Sequence, residues 1–269
     1  MARTPLPDEA GPLLEISDLA VEYRGRGRKV VRAVDGVSLQ LQAGSVLALI
    51  GESGSGKTSL ARAVCGLLPF AGSVKYMGQT LDRRTLNAHR VRPIQIVHQN
   101  PFSALNPRWP IWKSVAEPII ALNRQLKRPG DARALARAAL IRVGLGEHLH
   151  NRLPHRISGG QCQRVAIARA IATEAKLLVL DEAVSALDAS VKKDILRLLR
   201  DLAEEESVSY LFVTHDMATV ADIATHVAVM KSGQLVETGT AREVLLSPRE
   251  DYTRQLISAV PTLPRGDAA

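Results

Sequence analysis

The feature that most constrains the fold is a glycine-rich loop, GESGSGKT, at residues 51–58. It lies between the apolar, strand-length run 45–50 and a segment with helical character. Glycines let such a backbone wrap around phosphate, and the helix N-terminus adds its dipole. The match to G-x-x-x-x-G-K-[ST] at every fixed position predicts a nucleoside triphosphate site. Its predicted contacts are Gly51, Ser53, Gly54, Ser55, Gly56, Lys57, Thr58 and Ser59.

Alternation of strand and helix patterns predicts the fold class. Strand patterns at 177–180, 210–213 and 227–231 alternate with helical patterns at 189–205 and 217–224, which favours a mostly parallel sheet. We therefore expect an α/β chain with a P-loop NTPase core, N-terminal antiparallel β strands and an inserted helical subdomain. The expected parts are the first core segment (13–99), the helical subdomain (100–172), the second core segment (173–245) and a short C-terminal tail (246–269).

Composition narrows the setting and the partners. Of 269 residues 46% are hydrophobic, and no apolar run approaches the roughly 18 residues that a membrane span needs. Residues 1–11 lack the apolar core of a signal peptide, so we expect a cytoplasmic chain. The net charge of +8 is scattered, and 3% aromatic residues offer little surface for base stacking. No nucleic-acid partner is therefore expected.

A second candidate centre follows the apolar run 177–180, where Asp181 and Glu182 stand side by side. An aspartate at the carboxyl end of a buried strand is placed to hold Mg²⁺ opposite Thr58. The adjacent glutamate is a candidate general base for the attacking water. A solvated acidic turn is the alternative, and the phosphate loop in the same chain favours the catalytic interpretation.

Further motifs identify a family. Ser158, Gly159, Gly160 and Gln161 open a predicted helix just before the acidic strand, and they resemble the signature motif of ATP-binding-cassette proteins. Four more positions, in the order of that family's motifs, are similar to its adenine-stacking aromatic residue, its γ-phosphate-sensing glutamine, its loop exchanged between cassettes and its switch histidine. These are Tyr23, Gln99, Asp188 at the end of the run 185–188, and His215.

The resemblance implies a mechanism. Two cassettes sandwich two ATP molecules, each between one chain's phosphate loop and the other chain's signature motif. It implies catalytic roles for Glu182, His215 and Gln99. It also implies a Mg²⁺ site at Thr58, Gln99 and Asp181.

Finer resemblance indicates a branch of the family. The insert 99–108 and the tail 251–256 are similar to those of importers for oligopeptides, dipeptides, nickel and metal–opine complexes. This implies a second, non-identical ATPase subunit, two transmembrane permeases and, indirectly, an extracytoplasmic solute-binding protein. The expected location is peripheral, at the cytoplasmic face of the inner membrane. Two alternatives are an accessory cassette of a soluble complex, such as phosphonate-degrading lyase machinery, and a cassette linked to nucleic acid.

Three histidines, His148, His150 and His155, raise the question of a nickel site within the predicted insertion. They do not share a helical face, and no carboxylate or thiol cluster joins them. We therefore expect all three on the solvated surface.

Overall fold

The computed structural model describes residues 11–24, 30–82, 93–127 and 129–259. Residues 1–10, which carry most of the signal-peptide prediction, and residues 260–269 of the predicted tail lie outside this part. Among the described residues, no helix has both the length and the apolar character needed to cross a bilayer.

The N-terminal part of the chain contains a four-stranded antiparallel sheet with the strand order β2-β1-β4-β5. Its strands are β1 (Leu14–Arg24), β2 (Val30–Leu41), β4 (Ala71–Tyr76) and β5 (Gln79–Thr80). The sequence pattern predicts two short strands at 14–16 and 20–23, whereas the structure has one. The pairing of β1 with β2 shifts register near Asp18, whose φ is 48°. This bulge lies where the sequence suggests a break.

A six-stranded sheet carries the candidate site, in the order β10-β9-β3-β8-β7-β6. Every pairing in it is parallel except that of β9 with β10. Its strands are β3 (Val46–Ile50), β6 (Ile94–His98), β7 (Leu177–Asp181), β8 (Ser209–Val213), β9 (His226–Lys231) and β10 (Gln234–Thr240). β3, β7 and β8 are buried throughout, which explains their apolar runs at 46–50, 177–180 and 210–213.

The helices fall into an insertion and a core set. Between β6 and β7 lie a 3₁₀ turn (Pro101–Ala104), α2 (Ile111–Leu126), α3 (Ala132–Arg142), α4 (Glu147–His150), a 3₁₀ turn (Pro154–Arg156) and α5 (Gly159–Ile171). Outside the insertion are α1 (Lys57–Val64), α6 (Ala189–Glu206), α7 (Met217–Ile223), α8 (Ala241–Leu246) and α9 (Asp251–Ser258). The predicted α/β fold with its helical insertion is confirmed.

Alternate side chains of the central strands enter different apolar cores. Leu178 and Leu180 of β7 join the core formed with the insertion and α6. Leu177 and Val179 join the core between the two sheets, which also holds α1. A third cluster lies beneath α7, α8 and α9, against β3 and β9. Because both faces of the sheet pack against apolar cores, the strands are held firmly in position. The candidate site lies at the carboxyl ends of β3, β6 and β7.

Two details differ from the sequence expectations. His150 is fully buried, and its Nε2 lies 2.9 Å from the carbonyl oxygen of Leu145, so the prediction of a solvated side chain is wrong there. His148 and His155 are exposed. The chain after β9 also continues as β10, α8 and α9, elements that the sequence pattern did not predict.

Candidate nucleotide-binding site

The phosphate loop runs from β3 into α1, and neighbouring backbone dictates two of its glycines. Gly51 has φ 148°, and a Cβ there would lie 2.1 Å from the carbonyl oxygen of Met230. Gly56 has φ 106°, and a Cβ there would lie 2.1 Å from the carbonyl oxygen of Ala33. Backbone cannot yield as a flexible side chain can, so both positions require glycine. The Ser55 carbonyl also accepts a 2.9 Å bond from Gly233 N–H, which ties the loop to the β9–β10 turn.

Lys57 is folded back into the loop that it belongs to. Its ammonium donates to the carbonyl oxygens of Gly51 (2.8 Å) and Glu52 (2.7 Å) and to Ser55 Oγ (3.2 Å). Burial lowers the pKa of Lys57, while the charges of Glu182, Asp181 and Glu52 act in the opposite direction. The lysine is thus a charge held in place at the loop, with carbonyl partners that keep it desolvated and oriented.

Thr58 and Asp181 meet across the site. The Thr58 hydroxyl donates to Asp181 Oδ1 at 3.0 Å, and Asp181 ends β7 with only 6% of its surface exposed. Both face a polar cavity of about 450 Å³. It is lined by Thr58, Arg62, His98, Gln99, Asn100, Ser103, Asp181 and Glu182. Hydroxyl and carboxylate oxygens at one cavity wall are the donor set that Mg²⁺ prefers.

Glu182 lies one residue beyond Asp181 but has a different partner. Its φ is 52°, and its backbone N–H donates to the Val213 carbonyl at 3.0 Å. The carboxylate Oε1 lies 3.3 Å from His215 Nδ1. The arrangement pairs a carboxylate in the cavity wall with an exposed imidazole, a geometry suited to proton transfer and to phosphate contact.

Gln99 reaches the loop after Glu182. Its amide nitrogen donates to Ser185 Oγ at 3.1 Å, and the Ser185 hydroxyl in turn donates to the Glu182 carbonyl at 2.9 Å. The donor and acceptor roles of Ser185 are therefore consistent. This short chain of bonds connects the end of β6, which leads into the insertion, with the acidic loop.

Tyr23 lies near the start of α1. Its hydroxyl lies 3.1 Å from Ser59 Oγ, and 42% of the residue is exposed. An exposed ring beside the phosphate loop offers a flat apolar face for a base. Tyr23 and Ser59 were both predicted as contacts, and the structure brings them together.

The signature residues form a well-made helix start. Ser158 Oγ accepts from Gln161 N–H (3.2 Å), and Gln161 Oε1 accepts from Ser158 N–H (3.0 Å), a capping box. Ser158 and Gly159 are exposed, whereas a Cβ on Gly160 would lie 2.4 Å from Val191 Cγ1. Asp188, before α6, is exposed too. None of these five residues lines the cavity at Asp181.

Sequence reasoning missed a tie between the segments that follow Asp188 and His215. Asp216 accepts from Lys192 Nζ at 2.7 Å and caps α7. Burial alone would raise the pKa of Asp216, but hydrogen bonds from Lys192 and Thr219 outweigh it and lower the pKa to about 2. Arg62, His98 and Ser103, which line the cavity, were not predicted site residues either. No motif marks these positions.

Comparison with known proteins decides the family. The family model described as ABC transporter matches residues 34–185. The chain belongs to the ABC transporter family. It is an ATPase of the transport-coupled kind, as the sequence motifs predict.

Individual relatives agree with this assignment. The ABC chain is 43% identical to the oligopeptide transport ATP-binding protein OppF of Salmonella typhimurium, over 93% of this chain and 78% of that protein. It is 40% identical to the dipeptide transport ATP-binding protein DppF of Escherichia coli, over 94% of this chain and 77% of that protein. Among solved structures, the ATP-binding cassette MJ0796, a dimer bound to ADP and Pi, has a TM-score of 0.72 at 27% identity, covering 85% of this chain and 99% of that one.

Proposed function

We propose that this ABC ATPase drives an importer for peptides. The observation that carries the proposal is the 40–43% identity to oligopeptide and dipeptide transport ATP-binding proteins along nearly the whole chain. The sequence resemblance also implied nickel and metal–opine complexes as solutes. Neither of the two relatives described above carries such a name, so peptides are the proposed solute class.

ATP is proposed to bind along the loop 51–58. Lys57 contacts the outer phosphates, which replace part of its present carbonyl contacts, and the exposed ring of Tyr23 stacks on the adenine. Other backbone N–H groups of the loop and the start of α1 are proposed to supply the remaining donors. The backbone clashes that enforce Gly51 and Gly56 support this assignment, because they hold the loop in a phosphate-accepting shape.

The proposed metal ligands are Thr58, Asp181 and Gln99. Because the Gln99 amide nitrogen donates to Ser185, its amide oxygen is the atom available to a cation. Mg²⁺, when bound there, would neutralise charge on the phosphate oxygens. Glu182 is proposed to accept the proton of the attacking water. His215 orients that carboxylate and contacts the γ-phosphate.

A second cassette is proposed to complete the site. Ser158, Gly159, Gly160, Gln161 and Asp188 lie outside the cavity that Asp181 lines, and the MJ0796 cassette supports a paired arrangement. The proposed assembly contains a non-identical sister ATPase and two permeases, fed by an extracytoplasmic binding protein. The chain is then peripheral at the cytoplasmic face of the inner membrane. When the two ATPase subunits close on each other, segment 100–172 is proposed to transmit this movement to the permeases.

Replacing Glu182 tests the catalytic assignment. Glu182→Gln removes the base and keeps the shape, so we expect ATP binding to persist while turnover falls at least about 100-fold. Glu204→Gln, on the exposed side of α6, is the matched control and should leave both unchanged. Equal turnover in the two variants would remove Glu182 from the mechanism.

Co-purification tests the assembly. The tagged chain is isolated from its own membranes in mild detergent, and its partners are identified by mass spectrometry. Two permeases and a second ATPase are the expected partners. Recovery with enzymes of a soluble complex, and with nothing from the membrane fraction, would refute the importer and favour the accessory-cassette alternative.

A further inference from the structure

One peptide group of the phosphate loop is held from two sides. The peptide that joins Gly51 to Glu52 presents its carbonyl oxygen to Lys57 Nζ at 2.8 Å. Its N–H donates to the hydroxyl of Tyr252 in α9 at 3.1 Å. The two bonds connect the phosphate-binding lysine, through a single planar group, to a helix 200 residues away in the chain.

Tyr252 is itself firmly positioned. The residue is 8% exposed and belongs to the third apolar cluster, beneath α7, α8 and α9. Lys231 Nζ lies 4.6 Å from the centroid of its ring, a cation–π contact at the end of β9. The segment before it is fixed as well, because Glu237 of β10 accepts from the backbone N–H groups of Arg249 (2.8 Å) and Glu250 (3.2 Å). The hydroxyl therefore has a defined place against the loop.

The backbone of β9 also packs closely against Gly51. A Cβ on Gly51 would lie 2.1 Å from the Met230 carbonyl oxygen, so there is little free space on that side of the residue. Rotation of the Gly51–Glu52 peptide would carry its carbonyl away from Lys57. Among the described contacts, the bond from the Glu52 N–H to the Tyr252 hydroxyl is the one that resists such a rotation.

We propose that Tyr252 is a positioning residue for ATP binding, acting through the Gly51–Glu52 peptide on Lys57. By fixing this peptide before ATP arrives, α9 removes an ordering cost from phosphate binding. The inference rests on the nucleotide site proposed above and is independent of the transported solute. It gives a role to the tail segment 251–256, which in the sequence carried only a resemblance to one branch of importers.

Loss of the Tyr252 hydroxyl is expected to change the affinity for ATP but not the rate of the chemical step. Tyr252→Phe keeps the ring and its contact with Lys231 but removes the hydroxyl. Loss of one neutral hydrogen bond that preorganises the loop corresponds to a rise of about three- to tenfold in KM for ATP. Because the loop contacts ATP in the ground state and the transition state alike, kcat should be unchanged.

Tyr210→Phe is the matched control. It also removes a buried hydroxyl, whose bond goes to the Leu199 carbonyl at 2.9 Å, in the core beneath β8. Thermal melting, KM and kcat are measured for the full-length wild type and both variants. We expect the rise in KM in Tyr252→Phe alone. Equal KM values in wild type and Tyr252→Phe, or a fall in kcat at unchanged KM, would overturn the proposal.

Hydrogen exchange provides a readout that does not depend on activity. In Tyr252→Phe the Glu52 amide should exchange several-fold faster while amides of β3 and β8 keep their wild-type rates; uniform acceleration would indicate a merely structural role. Glu237→Ala removes the bonds that fix the segment before α9 and so loosens the position of Tyr252 without changing its side chain; it should shift KM in the same direction. Lys57→Ala separates the two proposals. Normal ATP binding by Lys57→Ala would refute the nucleotide site itself. If Lys57→Ala loses ATP binding but Tyr252→Phe has the KM of the wild type, only the role of Tyr252 is refuted.

Discussion

The bond between Asp216 and Lys192 makes a quantitative prediction. Asp216 follows His215, and Lys192 lies in the first turn of α6, just after Asp188. Their 2.7 Å contact therefore ties together two loops of the candidate site. Asp216→Asn keeps the size of the side chain and its ability to cap α7 through Oδ1, because asparagine is as good a cap as aspartate. The change removes the charge together with the second carboxylate oxygen, which accepts from Lys192 and from the Thr219 hydroxyl.

The magnitude follows from the pKa. Asp216 has its pKa lowered from 3.8 to about 2 in the folded protein, a difference of nearly two units at about 1.36 kcal/mol each. Its side chain is 27% exposed, so we reduce the resulting figure to about 1–2 kcal/mol for solvent screening. A depressed folded pKa means that the carboxylate stabilises the fold above pH 3.8. This contribution is lost as the pH falls from about 4 to about 2.

Urea unfolding at a series of pH values tests this. Asp216→Asn should be about 1–2 kcal/mol less stable than wild type at pH 7, and the gap should narrow as the pH falls below 4. Other carboxylates titrate equally in both proteins and cancel in the difference. A double-mutant cycle with Lys192→Met should give a coupling energy of about 1 kcal/mol at pH 7. A gap that is absent at pH 7, or that stays constant down to pH 3, would refute the reasoning.

Two further substitutions probe the loop and the insertion. Gly56→Ala should abolish ATP binding, because its Cβ meets the Ala33 carbonyl oxygen at 2.1 Å, whereas Gly78→Ala, also at positive φ but in open space, should bind ATP normally; equal binding by both would contradict the steric argument. Leu140→Ala should cost about 2–5 kcal/mol in unfolding free energy, since Leu140 is fully buried. Leu135→Ala on the same helix, 48% exposed, should cost little, and equal losses would contradict the packing argument.

The sequence predicted those parts of the fold whose signal is local. β3, β7 and β8 are buried on both faces, so their apolar runs are continuous and bounded by polar residues. β1 was divided in two because Ser17 and Asp18 look like a turn. The break is instead a bulge in which the Asp18 N–H donates to Ser38 Oγ at 2.9 Å. That partner lies on the neighbouring strand and is invisible to local pattern.

The same distinction holds for the site. The loop at 51–58 and the Asp181–Glu182 pair each consist of consecutive residues, so the residue types and their spacing are enough to predict a phosphate site and a pair of carboxylates. The contact of Glu182 with His215 could be expected only from the order of the family's motifs. The bonds from Glu52 to Tyr252 and from Lys192 to Asp216 depend on the packing of distant helices, and no spacing rule encodes them. The prediction for His150 was wrong for a related reason. A histidine in a polar stretch is expected to be solvated, and the buried carbonyl of Leu145 that it contacts is brought to it only by the fold.

The left-handed backbone at Glu182 explains how two adjacent carboxylates acquire two partners. A non-glycine residue at φ 52° costs on the order of 1–3 kcal/mol, and it persists only where the surroundings hold it. Here the Glu182 N–H is fixed by the Val213 carbonyl. The turn ends the regular strand geometry at Asp181, whose carboxylate meets Thr58, and redirects the next side chain to His215. Had the strand continued, the two side chains would project to opposite faces of the sheet. Both carboxylates therefore line one cavity, as the roles proposed above require, with Asp181 as a metal ligand and Glu182 as the proton acceptor in hydrolysis of a phosphoanhydride.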